Sequence, residues 1–178
     1  MTGAETTARA SDFSPADGVT LLRIPLAILF PLVTATPLRL LILLLAAVTD
    51  LGDGWVARRF GGSRIGFMLD PIADKLFVAV AFTVVWLSGR LTWYVVVAVL
   101  SRDIIATVAF ILTLIRGRVT AVPARLGGKV VTLLQMLTLV AFVLDLPRLH
   151  ELAWATGAVG LYAIFDYHKP FFQKMRRS

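Results

Sequence analysis

Six apolar runs, separated by short polar connections, account for most of the 178 residues of this chain. A helix needs about 20 predominantly apolar residues to cross the hydrocarbon core of a bilayer. The composition agrees, because 58% of the residues are hydrophobic, 16% are charged and the mean hydropathy is +0.82, unlike a soluble domain. We therefore predict an all-α integral membrane protein with six transmembrane helices, over 20–33, 38–56, 66–87, 91–115, 126–144 and 149–165.

The positions of Lys and Arg predict the orientation of these helices. The side of the two termini carries Arg9, Arg58, Arg59, Arg64, Arg116, Arg118, Arg125, Lys129, Lys169, Lys174, Arg176 and Arg177, whereas the opposite side carries Arg39, Arg90 and Arg148. Cytoplasmic loops hold the excess of basic residues in membrane proteins, so both termini are predicted to be cytoplasmic. Because most of the basic residues lie on the predicted cytoplasmic side, we attribute the net charge of +7 to contact with anionic lipid headgroups. No nucleic acid partner is expected.

The predicted domain organisation has one membrane domain between two tails. Residues 1–13 read as a mobile N-terminal tail, 14–168 as the six-helix domain and 169–178 as a basic cytoplasmic tail. A cleaved signal peptide is not expected, because residues 1–17 contain Glu5, Asp12 and Asp17 against one Arg9, and Arg23 interrupts the first apolar run.

Four aspartates stand out in the second and third apolar runs. With 100° of rotation per residue, Asp50 and Asp53 share one helical face with Gly54 and Ala57. Asp70 and Asp74 share a face of the next helix with Gly66. One pair precedes and the other follows the connection at 58–65, so the two pairs are predicted to meet near the cytoplasmic side. There the small residues would let a ligand approach the backbone.

Four carboxylates in one partly dehydrated place repel each other unless cations compensate them. Oxygen-only ligands favour Mg²⁺, Mn²⁺ or Ca²⁺, and Mg²⁺ in particular binds carboxylates together with substrate phosphates. The alternative is a structural one, in which the carboxylates pair with the basic residues at the membrane edge, namely Arg58, Arg59, Arg64 and Lys75.

The stretch DLGDGWVARRFGGSRIGFMLDPIAD, residues 50–74, resembles the signature of the CDP-alcohol phosphotransferases. That signature is D-x-x-D-G-x-x-A-R, seven or eight residues, then G-x-x-x-D-x-x-x-D, and every specified position matches. The resemblance implies a six-helix homodimer of the prokaryotic inner membrane. It also implies attack of an alcohol on the β-phosphorus of CDP-diacylglycerol, with release of CMP at a site that faces the cytoplasm.

The resemblance also implies roles for individual residues. Asp50, Asp53 and Asp70 would be ligands of two Mg²⁺ or Mn²⁺ ions, and Asp74 would complete that site and act as the base on the acceptor hydroxyl. The nucleotide would be bound by Asp53 together with residues that make room for the cytidine or shape its pocket: Gly54, Ala57, Arg58 and Gly66. Metal ions lower the pKa of a neighbouring carboxylate and so make it a poor base. Asp74 would therefore depend on its position beside the acceptor hydroxyl to take the proton.

The acceptor is indicated by the segments GVTLLRIPLA at 18–27, LDPIADKL at 69–76 and LGGKVVTLLQM at 126–136. They resemble the phosphatidylglycerophosphate synthase branch, whose acceptor is glycerol 3-phosphate, although Val131 stands where a second lysine is usual. A small phosphorylated alcohol would want further cations. The candidates are Arg102, Arg118, Arg125 and Lys129.

Structural roles are the alternative for several of these polar residues. Arg102 can instead form an intramembrane charge pair, although adjacent helical residues such as Arg102 and Asp103 point about 100° apart and need not pair with each other. Thr132 and Gln135 read as polar contacts between helices.

Other functions are weighed against this one. Within the superfamily that the chain resembles, the alternatives are cardiolipin synthase, which uses phosphatidylglycerol as the acceptor, and the inositol-phosphate and serine transferases. A metal transporter would need polar residues across the whole membrane, but the outer parts of the second and third runs, LRLLILLLAAV and FVAVAFTVVWL, contain no acidic residue. A catalytically silent membrane protein would have no reason to carry both aspartate pairs.

Overall fold

The structure is a computed structural model. It describes the backbone of residues 18, 21–60, 64–115 and 126–175, and the side chains of residues 18, 21–50, 52, 72–112, 115 and 127–164. Within these residues every regular element is an α-helix, which confirms the predicted all-α class. The six helices are α1 (Arg23–Leu32), α2 (Thr36–Phe60), α3 (Arg64–Leu87), α4 (Trp93–Ile115), α5 (Leu126–Val143) and α6 (Leu149–Met175).

The largest differences between the predicted and the observed helices lie at two C-terminal ends. Helix α2 continues beyond 56 to Phe60, and α6 continues beyond 165 to Met175. Both extensions are rich in basic and polar residues, which lower the hydropathy of a segment without preventing it from being helical. Only residues 61–63 separate α2 from α3, and helices joined by so short a connection generally run antiparallel.

The core is built around α3, which packs against α1, α4 and α5, while α6 packs against α4 and α5. Phe77, Val78, Phe82 and Val85 of α3 are fully or almost fully buried. Small residues bring α6 close to its neighbours, since a Cβ atom at Gly157 would lie 3.2 Å from the Cβ of Ala98 on α4. Close approach at small residues is typical of helices that pack within a membrane.

The outer surface is apolar along the helices. Leu32, Leu44, Ile104 and Leu133 each expose about half or more of their surface, and a surface covered with large apolar side chains indicates contact with something other than water. Of the described residues, Trp93–Leu112 has the length and hydropathy of a membrane-crossing helix, and two further apolar helices are shorter. The number of spans and the side of the termini stay predictions.

Exposed aromatic side chains gather where α3 ends and where α4 and α6 begin. Trp86, Trp93, Tyr94 and Trp154 expose 46 to 62% of their surface. The ring of Tyr94 lies 5.9 Å from that of Trp93 and 6.3 Å from that of Trp154, measured between centroids. Trp and Tyr are enriched at membrane interfaces, so this end of the bundle has the composition of an interfacial belt.

Candidate functional site

Asp50 lies on α2, opposite a buried arginine of α1. Its side chain is 39% exposed, and its Oδ1 lies 3.4 Å from Nη2 of Arg23. Arg23 is 2% exposed, and its Nε donates to Oγ1 of the neighbouring Thr49 at 3.4 Å. Asp50 is therefore positioned by a cation from another helix. The sequence signal for this contact was the single arginine in an apolar run, because such a charge needs a partner.

Asp74 lies on α3 beside a lysine that bridges two helices. The Nζ of Lys75 lies 2.8 Å from Oδ2 of Asp74 and 2.9 Å from Oδ1 of Asp103 on α4. The three side chains are 16, 18 and 6% exposed, in the order Asp74, Lys75 and Asp103. The sequence indicated Lys75 only as a cation at the membrane edge, whereas the structure places it near the middle of α3 between two carboxylates.

Asp103 collects further donors from two helices. Its Oδ1 also lies 2.9 Å from Nη1 of Arg102, and its Oδ2 accepts from Nε2 of Gln135 on α5 at 2.6 Å. The same Nε2 donates to the backbone oxygen of Val99 at 3.2 Å. The side chains of the adjacent Arg102 and Asp103 therefore do pair, because the long arginine side chain spans the angle between them.

Of the two residues expected to join helices, Gln135 does so and Thr132 does not. Gln135 is fully buried and connects α5 to α4, as predicted. The hydroxyl of Thr132 instead donates to the backbone oxygen of Gly128 in its own helix at 3.2 Å. A threonine four residues beyond a carbonyl can make this bond inside its own helix, and the sequence does not distinguish the two choices.

Arg102 approaches the start of α5 closely. A Cβ atom at Gly128 would lie only 2.4 Å from its Nη2, so the absence of a side chain at residue 128 makes room for the guanidinium. The Nε of Arg102 and the Oε1 of Gln135 are buried and have no hydrogen-bond partner among the described residues. Buried polar groups are normally satisfied, so these two atoms are exceptions within the part of the chain that the structure describes.

Lys75 and Asp103 also line a groove of about 350 Å³ between α3 and α4. Its remaining walls are mostly apolar, from Ile72, Leu76 and Ala79 of α3 and from Leu100, Ile104, Thr107 and Val108 of α4. The ion pair therefore lies at the inner face of a groove whose rim residues, such as Ile72 and Ile104, are about half exposed.

The predicted site residues fall into three groups. Asp50, Asp74, Arg102 and Lys129 have described side chains, and Lys129 is exposed. The backbones of Asp53, Gly54, Ala57, Arg58, Gly66 and Asp70 belong to the continuous helices α2 and α3, so the helical spacing on which their shared faces depend is present. Their side chains, and the whole of Arg118 and Arg125, lie outside the described residues, and the roles given to all of them stay predictions.

The predicted set of donors has the chemistry of a divalent cation site, although the structure does not describe all four side chains. No cluster of three or more His, Cys, Asp or Glu residues occurs among the described residues, which leave out the side chains of Asp53 and Asp70. Four carboxylates with Arg23 and Lys75 nearby would retain a formal charge of −2, and oxygen donors of this charge suit Mg²⁺ or Mn²⁺.

A sequence model described as CDP-alcohol phosphatidyltransferase matches residues 13–165. The chain therefore belongs to the CDP-alcohol phosphatidyltransferase family, and the resemblance seen in the aspartate signature is confirmed.

Individual relatives carry more specific names. The chain is 37% identical over 102 residues to a probable phosphatidylglycerophosphate synthase of Mycobacterium tuberculosis, covering 57% of this chain and 47% of that protein. It is 36% identical over 140 residues to the CDP-diacylglycerol–glycerol-3-phosphate 3-phosphatidyltransferase of Pectobacterium atrosepticum, covering 77% and 75%. It is also 36% identical over 92 residues to a putative cardiolipin synthase of M. tuberculosis, covering 51% and 44%. The chain thus spans about half the length of the mycobacterial relatives.

Proposed function

We propose that this chain transfers a phosphatidyl group from CDP-diacylglycerol to the hydroxyl of glycerol 3-phosphate and releases CMP. The observation that carries the proposal is the complete aspartate signature, which lies on two continuous helices joined by three residues, inside a family match of 13–165. The acceptor is supported by relatives named for glycerol 3-phosphate at 36 and 37% identity.

The chemistry assigned to the site is a displacement at phosphorus. The hydroxyl oxygen of the acceptor bonds to the β-phosphorus, the bond from that phosphorus to the bridging oxygen breaks, and its electron pair leaves with CMP. Asp74 takes the hydroxyl proton. Asp50, Asp53, Asp70 and Asp74 would hold two Mg²⁺ or Mn²⁺ ions, and such ions neutralise the charge on attacking and leaving oxygens.

The reaction is tested by combining purified protein, CDP-diacylglycerol and Mg²⁺ with each of a panel of alcohols and measuring the release of CMP. Glycerol 3-phosphate should give the fastest release, and chelation of divalent ions should abolish it. Absence of CMP with every acceptor would overturn the proposed reaction. Turnover of phosphatidylglycerol, but not of glycerol 3-phosphate, would instead favour the cardiolipin synthase alternative, which the mycobacterial relative of that name supports.

Arg102 is proposed to bind the phosphate of the acceptor. It is connected to Asp74 through Asp103 and Lys75, and its guanidinium lies against Gly128. A charge-assisted contact contributes about 1.5–3 kcal/mol, so Arg102→Gln should raise the KM for glycerol 3-phosphate about ten- to a hundredfold. The KM for CDP-diacylglycerol should change little.

Two variants control the Arg102 prediction. Gly128→Ala places a Cβ where the guanidinium lies and should raise the same KM by displacing it, without removing any charge. Arg90→Gln removes an arginine that pairs with Asp145 at the opposite end of the bundle and should leave both KM values unchanged. An unaltered acceptor KM in both Arg102→Gln and Gly128→Ala would show that Arg102 is structural.

The six-span topology with cytoplasmic termini is likewise proposed, in a prokaryotic inner membrane and as a homodimer. The apolar outer surface, the helix Trp93–Leu112 and the aromatic belt support a membrane location. The chain contains no Cys, so single cysteines can be labelled without background. With a membrane-impermeant maleimide on intact cells, Ser88→Cys should be labelled, whereas Ser178→Cys should react only after permeabilisation. The reverse pattern would contradict the orientation.

A further inference from the structure

Lys75 holds one oxygen of the candidate base. Its ammonium lies 2.8 Å from Oδ2 of Asp74, which is the length of a charge-assisted hydrogen bond. Adjacent residues on a helix point about 100° apart, so this contact requires the lysine side chain to bend toward Asp74. A second contact also restrains the side-chain conformation of Lys75.

That second constraint is Asp103, which lies on another helix. Its Oδ1 is 2.9 Å from the Lys75 ammonium, and the carboxylate is itself held by Arg102 and Gln135. Gln135 is fully buried and anchored to the backbone oxygen of Val99. The place of the Lys75 ammonium is thus determined by α4 and α5, although the lysine belongs to α3.

We propose that Lys75, held in place by Asp103, is a positioning residue that orients the Asp74 carboxylate for proton transfer from the acceptor alcohol; this rests on the function proposed above. The lysine restrains Oδ2, so that the other oxygen of Asp74 faces the hydroxyl. A base must lie within hydrogen-bond reach of the proton that it accepts, and a small misplacement of a reacting group lowers the rate strongly. The restraint passes from Gln135 through Asp103 and Lys75 to Asp74.

The competing explanation is that Lys75 and Asp103 only neutralise each other inside the bundle, as buried ion pairs often do. The two explanations differ in what they require of the folded enzyme. A purely structural pair affects the stability of the protein but leaves the kcat of folded molecules unchanged. A positioning pair lowers kcat while the affinity for CDP-diacylglycerol is retained.

The experiment compares full-length Lys75→Met, Lys75→Arg, Asp103→Asn and the double variant Lys75→Met/Asp103→Asn with the wild type. Lys75→Met should lower kcat about ten- to a hundredfold, the range seen when residues that orient a functional group are removed, with the KM for CDP-diacylglycerol within about threefold. Lys75→Arg should recover part of this loss because it restores a donor to Asp74. The double variant should be no slower than Lys75→Met, because both changes interrupt one path.

Thermal unfolding with and without Mg²⁺ supplies a readout that does not depend on turnover. The rise in unfolding temperature produced by Mg²⁺ should persist in Lys75→Met, since removing a nearby positive charge does not weaken attraction for a cation. Loss of that rise would show that Lys75 acts on metal binding, and would overturn the positioning role. Thr156→Val is the matched control: it removes a buried polar contact of 3.0 Å to Thr138 between α6 and α5 and should leave kcat unchanged.

The remaining kinetic outcomes would also support or overturn the positioning role of Lys75. An unchanged kcat in folded Lys75→Met, or losses that multiply in the double variant, would overturn the proposal. If Lys75→Met does not fold, the near-isosteric variant Asp103→Asn takes its place in the test. An unchanged kcat in Asp103→Asn would then overturn the proposal. A wild type that releases no CMP overturns the proposed function and this inference together, whereas an active wild type with fully active Lys75 and Asp103 variants overturns the inference alone.

Discussion

Replacement of Asp74 by Asn should lower kcat by about 10²–10⁴, the usual contribution of a general base. The amide keeps the size of the side chain and can still accept from the Lys75 ammonium, which lies 2.8 Å from the carboxylate, but it cannot take the acceptor proton. Affinity for the cytidine nucleotide should be largely retained. Initial rates of CMP release and a binding titration with CDP measure the two effects separately.

Asp145→Asn is the matched control for this substitution. Asp145 pairs with Arg90 at the end of the bundle away from the aspartate signature, and its side chain is 73% exposed. The same chemical change there should leave kcat near the wild-type value. Retention of more than about a tenth of the wild-type kcat by Asp74→Asn would be incompatible with its role as the base.

The second large effect is expected at Asp50, with Asp53 and Asp70 behaving alike. Each Asn variant removes one negative charge from a shared cation site, so Mn²⁺ affinity should fall and activity should drop more than about a hundredfold, beyond the effect typical of residues that only support a ligand. Part of the activity should return at higher Mn²⁺ concentration. Mn²⁺ titration followed by CMP release measures both.

The comparison between Asp50 and Asp74 tests the division of roles. Asp50→Asn should weaken metal binding and, with it, binding of the nucleotide diphosphate, whereas Asp74→Asn should mainly slow the chemical step. Equal losses of metal and nucleotide binding in all four Asn variants would contradict separate roles. Rescue of Asp74→Asn by added Mn²⁺ would likewise show that it acts only as a ligand.

The helix positions and the family could be predicted from the sequence because both depend on local patterns. Apolar runs bounded by Gly, Pro and charged residues predicted each of the six described helices, and the largest errors lie at the polar ends of α2 and α6, where hydropathy no longer marks a helix. The aspartate signature lies on two adjacent helices, so its spacing could be read as two faces. The family match over 13–165 confirmed the resemblance that this signature indicated.

The partners of the charged side chains were decided only by the tertiary structure. Thr49 and Arg23, 26 residues apart, and Gln135 and Asp103, 32 residues apart, meet because of the order in which the helices pack. Several basic residues were equally available in the sequence, yet Asp74 pairs with Lys75, which Asp103 holds from α4. Helical periodicity and hydropathy are properties of single segments, whereas an ion pair depends on which helices are neighbours and on side-chain conformation. The sequence by itself therefore determined the helices and the types of the candidate site residues, whereas the packing of α1 against α2, and of α4 and α5 around α3, determined what holds Asp50 and Asp74 in place.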